Sequence, residues 1–158
     1  MGLAERIFVQ KRYIDIFREL RIDKQSSPRI FKENKDLFVL CCTIGFKLNK
    51  RSNELKSSEM LLWSNTFDEY QETVLKAIAL KSVGNSDLTI LDKPAKVYQI
   101  AQLYADKGME ILIEEIFKPY IKETKDGTLS IVYNEKAELL EALIHYVYSL
   151  NEISDPFD

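Results

Sequence analysis

One stretch, from Phe31 to Arg51 (FKENKDLFVLCCTIGFKLNKR), constrains the fold more than any other, because an almost wholly apolar helical pattern runs directly into a group of positive charges. Asn34 can serve as the N-cap of this helix, and Asp36 places a carboxylate in its first turn, where it is favourable. The apolar residues that follow recur at helical spacing on nearly all sides, which indicates a buried helix. We expect Gly45 to end it as a C-cap.

The polar segment after this helix, residues 47–58, holds the best candidates for a binding site. A loop of this length within a compact domain is usually functional or mobile. Clustered cations can neutralise phosphates in a mode of binding that does not depend on base sequence. The candidate residues for contact with DNA or with a partner are Lys47, Lys50, Arg51 and Lys56, with Arg12 and Arg18 of the first predicted helix as support.

Charge is distributed unevenly along the 158 residues. Residues 1–56 hold 13 Lys or Arg and 7 Asp or Glu, a net charge of +6, whereas residues 57–158 hold 9 and 18, a net charge of −9. Such an imbalance suits a basic face for a polyanion or an acidic partner. The alternative is that the two halves neutralise each other within the fold.

Helical periodicity dominates the rest of the chain. We predict a mainly α protein, a single-domain helical bundle of about four to six helices with at most a minor β element. The predicted helices cover residues 4–20, 35–46, 67–83, 94–117 and 134–150, with a possible break in the fourth at Gly108 and with Asn134 as N-cap of the last. The other predicted elements are a strand or buried turn at 59–63, an extended link at 87–91 and a weak strand at 128–133.

Chemistry that needs a metal, a cofactor or a catalytic constellation is not indicated. Cys41 and Cys42 are adjacent, so they point to different helix faces and are best interpreted as small buried hydrophobic residues. His145 is the one histidine, which leaves too few ligands for a zinc site of the usual kind. Asp106 and Glu110 share a helix face that we interpret as solvated. We expect no cofactor, no enzymatic activity, no membrane span and a cytoplasmic location.

Several short stretches together resemble the family called DNA phosphorothioation-associated protein 4, which accompanies bacterial dnd-type sulphur-modification and restriction genes. The matching pieces are Phe31-Lys32, Lys35 to Val39, Ile44 to Lys47, Trp63, Phe67, Ala77 to Leu80, Ile90-Leu91, Tyr104-Ala105 and Gly108 to Leu112. The resemblance covers about residues 6–117. It therefore suggests a family-like core over residues 1–119 and a C-terminal helical extension over residues 120–158 with a frayed tail.

What the resemblance implies is a non-enzymatic accessory protein of a phosphorothioation-linked modification or restriction system in phage defence. Its expected partners are other proteins of that system, double-stranded DNA held through its backbone, or both. The alternative is a transcriptional regulator of the same gene cluster, with helices 35–46 and 67–83 in a helix-turn-helix-like role. The long polar loop between these helices argues against a compact version of that motif. A nuclease or hydrolase subunit is disfavoured, since the acid–base and metal constellations that it needs are missing.

Overall fold

Two helices, α2 (Asn34–Lys47) and α4 (Pro94–Leu112), form the most extensive contact between elements of the protein. The computed structural model describes residues 3–21, 30–84, 87–132 and 136–152. The side chains of Cys41 and Cys42 on α2 are fully buried, as predicted, and burial raises the pKa of both thiols. They are therefore packing groups of the core.

The two central helices approach so closely that glycine is required where they touch. A Cβ atom built on Gly108 would lie 1.7 Å from the carbonyl oxygen of Cys41, and one built on Gly45 would lie 2.2 Å from the carbonyl oxygen of Tyr104. Both glycines lie inside their helices, so the predicted C-cap at Gly45 and the predicted break at Gly108 were wrong. Their function is close backbone contact, which single-sequence periodicity does not reveal.

The N-terminal segment is a strand followed by a helix. The predicted helix over residues 4–20 was wrong in its first half, because β1 (Arg6–Gln10) precedes a 3-10 turn and α1 (Ile14–Leu20). Ile7 and Val9 of β1 are buried, the period-2 alternation of a half-buried strand. β1 pairs antiparallel with β2 (Ser58–Trp63), which decides the ambiguous prediction for residues 59–63 in favour of a strand.

Helix α3 (Glu69–Val83) confirms the helix predicted over residues 67–83, with its start displaced. Its N-cap is Asp68, which forms a capping box with Gln71. Gly84 ends the helix with a φ of +92°, as a C-terminal glycine commonly does. The link expected to be extended at residues 87–91 is instead a 3-10 turn, Leu88–Asp92.

The C-terminal part adds a small hairpin and a last helix. α4 ends at Leu112 and continues as a π-helical turn (Ile113–Phe117) and a 3-10 turn (Lys118–Tyr120). The elements that follow are β3 (Ile121–Glu123), β4 (Leu129–Ile131) and α5 (Lys136–Ser149), of which β3 and β4 pair antiparallel. β4 confirms the strand predicted at 128–133, whereas the predicted cap Asn134 lies outside the described residues, as does most of the tail.

The fold class is the predicted one. The described residues contain five α-helices and two antiparallel two-stranded sheets, so the chain is mainly helical with minor β structure. Leu139 and Leu143 of α5 belong to the buried core, whereas Ile144 and Val147 are 47% and 37% exposed. None of the helices in the described ranges combines the length and the apolar composition that a membrane span requires.

The glycine contact yields the first testable prediction. Gly108→Ala should destabilise the protein by about 3 kcal/mol, because its methyl group forces α2 and α4 apart. In an ordinary helix the same change stabilises the protein by up to about 1 kcal/mol, so a loss of stability would indicate the close contact. Urea denaturation measures the difference.

The matched control is Gln99→Ala on the exposed face of α4, which should change stability by less than about 0.5 kcal/mol. A Gly108→Ala protein that is as stable as the wild type, or more stable, would contradict the close contact.

Candidate nucleic-acid interface

The basic loop, residues 48–57, joins α2 to β2 and is fastened to both central helices. The backbone N–H of Lys50 donates to the carbonyl oxygen of Gly45 at 2.8 Å, and that of Ser52 donates to the carbonyl oxygen of Leu103 at 3.0 Å. At its far end, the N–H of Lys11 donates to the carbonyl oxygen of Ser57 at 2.8 Å. The loop is long, yet three backbone hydrogen bonds place it against the core.

Arg51 is the most firmly held cation of the loop. Its Nη1 donates to Ser82 Oγ on α3 at 2.9 Å, and its guanidinium carbon lies 5.8 Å from the centre of the Tyr104 ring on α4. Among the described residues, no carboxylate oxygen lies within the 4.0 Å of an ion pair from its side-chain nitrogens. The neutral partners orient the guanidinium while its charge stays available to an anion.

Arg12 is oriented in a similar way in the 3-10 turn that follows β1. Its Nη2 donates to Tyr13 Oη at 2.6 Å, and its guanidinium carbon lies 4.7 Å from the centre of the Tyr13 ring. Burial raises the pKa of Tyr13 to about 12; the positive charge of Arg12 lowers that pKa and the carboxylate of Asp106 raises it. Tyr13 is therefore a neutral support for the arginine at physiological pH.

Three of the six predicted cations meet in one place. Arg12, Arg51 and Lys56 line a single groove of about 590 Å³ between the end of β1, the basic loop and α4. We call it the basic groove. Lys50 and Arg51 together line an adjoining depression, so Lys50 lies at the edge of the same surface.

The other two predicted residues lie elsewhere. Lys47 is the half-buried last residue of α2 and is not among the residues that line the basic groove. Arg18 on α1 is also outside the groove, and its Nη1 lies 3.6 Å from Asp15 Oδ1. A local ion pair thus neutralises Arg18, which makes it a weaker candidate for a phosphate contact.

Sequence reasoning did not predict the buried carboxylate of Asp106 at the base of the basic groove. We expected Asp106 to lie on a solvated face with Glu110, but Asp106 is only 7% exposed, and that prediction was wrong. Gln102 and Asp106 lie one helical turn apart on α4, and both accept hydrogen bonds from β1. Gln102 Oε1 accepts from the N–H of Phe8 at 2.8 Å, and Asp106 Oδ1 accepts from Gln10 Nε2 at 2.8 Å. The spacing of four was the available signal, but it needs the strand beside it to be interpretable.

The groove carries both signs of charge: the exposed carboxylates of Glu54 and Glu110 line it together with the cations, and Asp106 lies buried beneath them. α4 adds Lys107, which the sequence analysis also missed, but Lys107 Nζ lies 2.8 Å from Glu110 Oε2 and is neutralised there. By contrast, Arg12, Arg51 and Lys56 form no ion pair with any carboxylate in the described ranges. Nor do the described residues contain a group of three or more His, Cys, Asp or Glu placed to hold a metal ion. The arrangement favours electrostatic contact with an anion at the rim.

Comparison with known proteins gives one result. A sequence model of the family described as DNA sulphur modification system-associated protein 4 matches residues 6–143. The match extends beyond residue 117, where we expected the resemblance to stop, and reaches into α5. No curated protein and no solved structure has significant similarity to the chain.

The raised pKa of Tyr13 yields a pH prediction. Folded Tyr13 keeps its proton to about pH 12, whereas an unfolded tyrosine loses it near pH 10. The stabilisation from the neutral phenol is therefore complete below pH 10 and is lost as the pH rises from 10 to 12. Tyr13→Phe lacks this titration, so the stability of wild type relative to Tyr13→Phe should fall between pH 8 and about pH 11.

Urea unfolding of both proteins at each pH measures the effect, and the comparison cancels the titration of other tyrosines. A difference in stability that stays constant with pH would show that Tyr13 is not held in its neutral form by burial.

Proposed function

The chain belongs to the family of DNA sulphur modification system-associated protein 4, and from this premise we propose that it is a non-catalytic accessory protein that holds the DNA backbone. The observation that carries the proposal is the convergence of Arg12, Arg51 and Lys56 on one groove without ion pairs. In this account the protein presents a cationic surface to duplex DNA and brings it to other proteins of the modification or restriction system in phage defence. Its partners are then those proteins and the phosphates of the duplex.

The arginine side chains are already held in place before any anion binds, which supports this proposal. Immobilising a long side chain on binding costs about 0.5–1.5 kcal/mol. Arg51 is already oriented by Ser82 and Tyr104, and Arg12 is already oriented by Tyr13. Much of that cost is therefore met before an anion arrives, which favours phosphate contact over a purely solvated role.

The regulator alternative is less well supported by the geometry. Helices α2 and α3 would have to act as the two helices of a helix-turn-helix, which are joined by a short turn. Here the whole basic loop and β2 lie between them, and α2 is largely buried under α4. A helix with so little free surface has no face to offer the major groove.

Duplex binding at two salt concentrations tests the proposal. Two or three phosphate contacts imply a log–log salt slope of about −2 to −3, because each contributes about −0.9. Affinity should therefore fall roughly 16- to 64-fold between about 50 mM and about 200 mM salt, with little dependence on base sequence. The triple variant Arg12→Ala, Arg51→Ala, Lys56→Ala should weaken binding to all duplexes and flatten that slope.

The chain offers a control triple that removes the same charge. Arg18, Lys76 and Lys118 form ion pairs at 3.6, 3.5 and 3.4 Å with Asp15, Glu72 and Glu114. Changing these three to Ala should leave the salt slope nearly unchanged. Equal losses in the two triples would show that net charge alone drives binding, and no binding by wild type at low salt would refute the DNA contact and favour an acidic protein partner.

Co-purification from the native host distinguishes the accessory role from the role of a transcriptional regulator. A modification or restriction protein in the eluate supports the accessory role. Selective retention of one promoter fragment over other duplexes of equal length would contradict sequence-independent binding and support the regulator.

A further inference from the structure

Asp106 is the one charged side chain that is less than a tenth exposed among the residues that the structure describes. A buried carboxylate is costly unless hydrogen bonds satisfy it. Here the donors are neutral: Gln10 Nε2 donates to Oδ1 at 2.8 Å and Ser52 Oγ donates to Oδ2. No side-chain nitrogen of a described Lys or Arg lies within 4.0 Å of the carboxylate, so the charge has no direct counter-ion.

The two donors come from the two elements that present the cations. Gln10 ends β1, two residues before Arg12, and Ser52 follows Arg51 in the basic loop. Asp106 therefore ties both segments to α4, at separations of 96 and 54 residues along the chain. The N–H of Ser52 is bonded in parallel to the carbonyl oxygen of Leu103, so side chain and backbone of one loop residue are both held.

The same carboxylate has an electrostatic effect on the groove. Asp106 lies in the lining of the basic groove with Arg12, Arg51 and Lys56, but beneath them, since it is buried and they are exposed. Its negative charge opposes that of a phosphate held at the rim. An asparagine can keep both links without the charge: its oxygen accepts from Gln10 as the carboxylate does, and its amide nitrogen donates to the hydroxyl oxygen of Ser52, which reverses the direction of that hydrogen bond.

We infer that Asp106 is a positioning residue that fixes the basic loop for contact with backbone phosphates, and that its charge keeps this contact weaker than the cations alone would make it. The inference rests on the proposed function. It assigns the groove a built-in limit on affinity, which suits the proposed role of bringing DNA to other proteins of the system. The hydrogen bonds that hold Gln10 and Ser52, which we call the tether, and the negative charge reside in the same side chain, but substitution can separate them.

Asp106→Asn keeps the tether and removes the charge, whereas Asp106→Ala removes both. The Asn variant should bind a duplex about two- to fivefold tighter than wild type at low salt, the effect of one partly screened unit charge close to phosphate. The Ala variant should bind about tenfold more weakly than the Asn variant, because the basic loop and the end of β1 have then lost their link to α4 and must be ordered on binding. Equal affinities in the two variants, or an Asn variant no tighter than wild type, would overturn the inference.

Hydrogen exchange of the loop amides tests the tether without DNA. In Asp106→Ala the amides of Lys50 and Ser52 should exchange faster than in wild type, and in Asp106→Asn they should not. Unchanged exchange in the Ala variant would overturn the positioning role even if DNA binding is intact. If wild type binds no duplex, the proposed function fails and the affinity effect with it, while faster exchange in the Ala variant still supports the tether.

A second variant tests whether the effects of Asp106→Ala come from general unfolding. Ser52→Ala keeps the carboxylate but removes one of its donors, so it should loosen the loop and bind DNA more weakly than wild type. Exchange of amides in α5 should be unchanged, which distinguishes a local effect from global instability. A Ser52→Ala protein with wild-type exchange and wild-type affinity would overturn the inference.

Discussion

The close contact between the backbones of α2 and α4 is the constraint on which the rest of the structure depends. With glycine at positions 45 and 108, one helix reaches the carbonyl groups of the other, a distance that no residue with a Cβ atom permits. Interiors are packed densely enough that such a contact cannot relax without displacing neighbours. The surroundings of Gly45 also include the carbonyl oxygen of Lys50, so the first turn of the basic loop belongs to the same contact. Helix packing and loop position are therefore determined together.

This coupling explains how a chain of net charge −3 can bring Arg12, Arg51 and Lys56 together in one groove. The loop leaves α2 where α2 is fixed against α4, and the hydrogen bonds from Ser52 to Leu103 and Asp106 then hold it along α4. Arg51 projects from this fixed backbone onto Tyr104. Surface ion pairs contribute little to stability, so leaving such cations without carboxylate partners costs the fold little. The charge of these cations therefore stays free for the proposed contact at little cost in stability.

The sequence was informative about long helices and poor about contacts between distant residues. α3 and α4 have extended helical periodicity, and both were predicted close to their observed extent. β1 was missed because Ile7 also fits the helical spacing of Ile14 and Phe17, and because its partner strand lies about 50 residues away. Contacts between distant residues also limited the prediction of the site. The cations of residues 50–56 form a cluster in the sequence. Tertiary packing alone decides that Arg12 lies beside them and that Arg18 does not. Asp106 looked like a solvated acid because its partners, Gln10 and Ser52, are 96 and 54 residues away.

The central claim is that the packed α2–α4 pair presents residues 11–13 and 48–57 as one surface for a DNA backbone. The most direct test is hydrogen exchange of the wild-type protein with and without a duplex at low salt. The account predicts that the duplex adds protection in those two segments together, and none in α5, whose outward face carries exposed apolar side chains rather than the basic groove. Protection confined to α5, or to only one of the two segments, would contradict it.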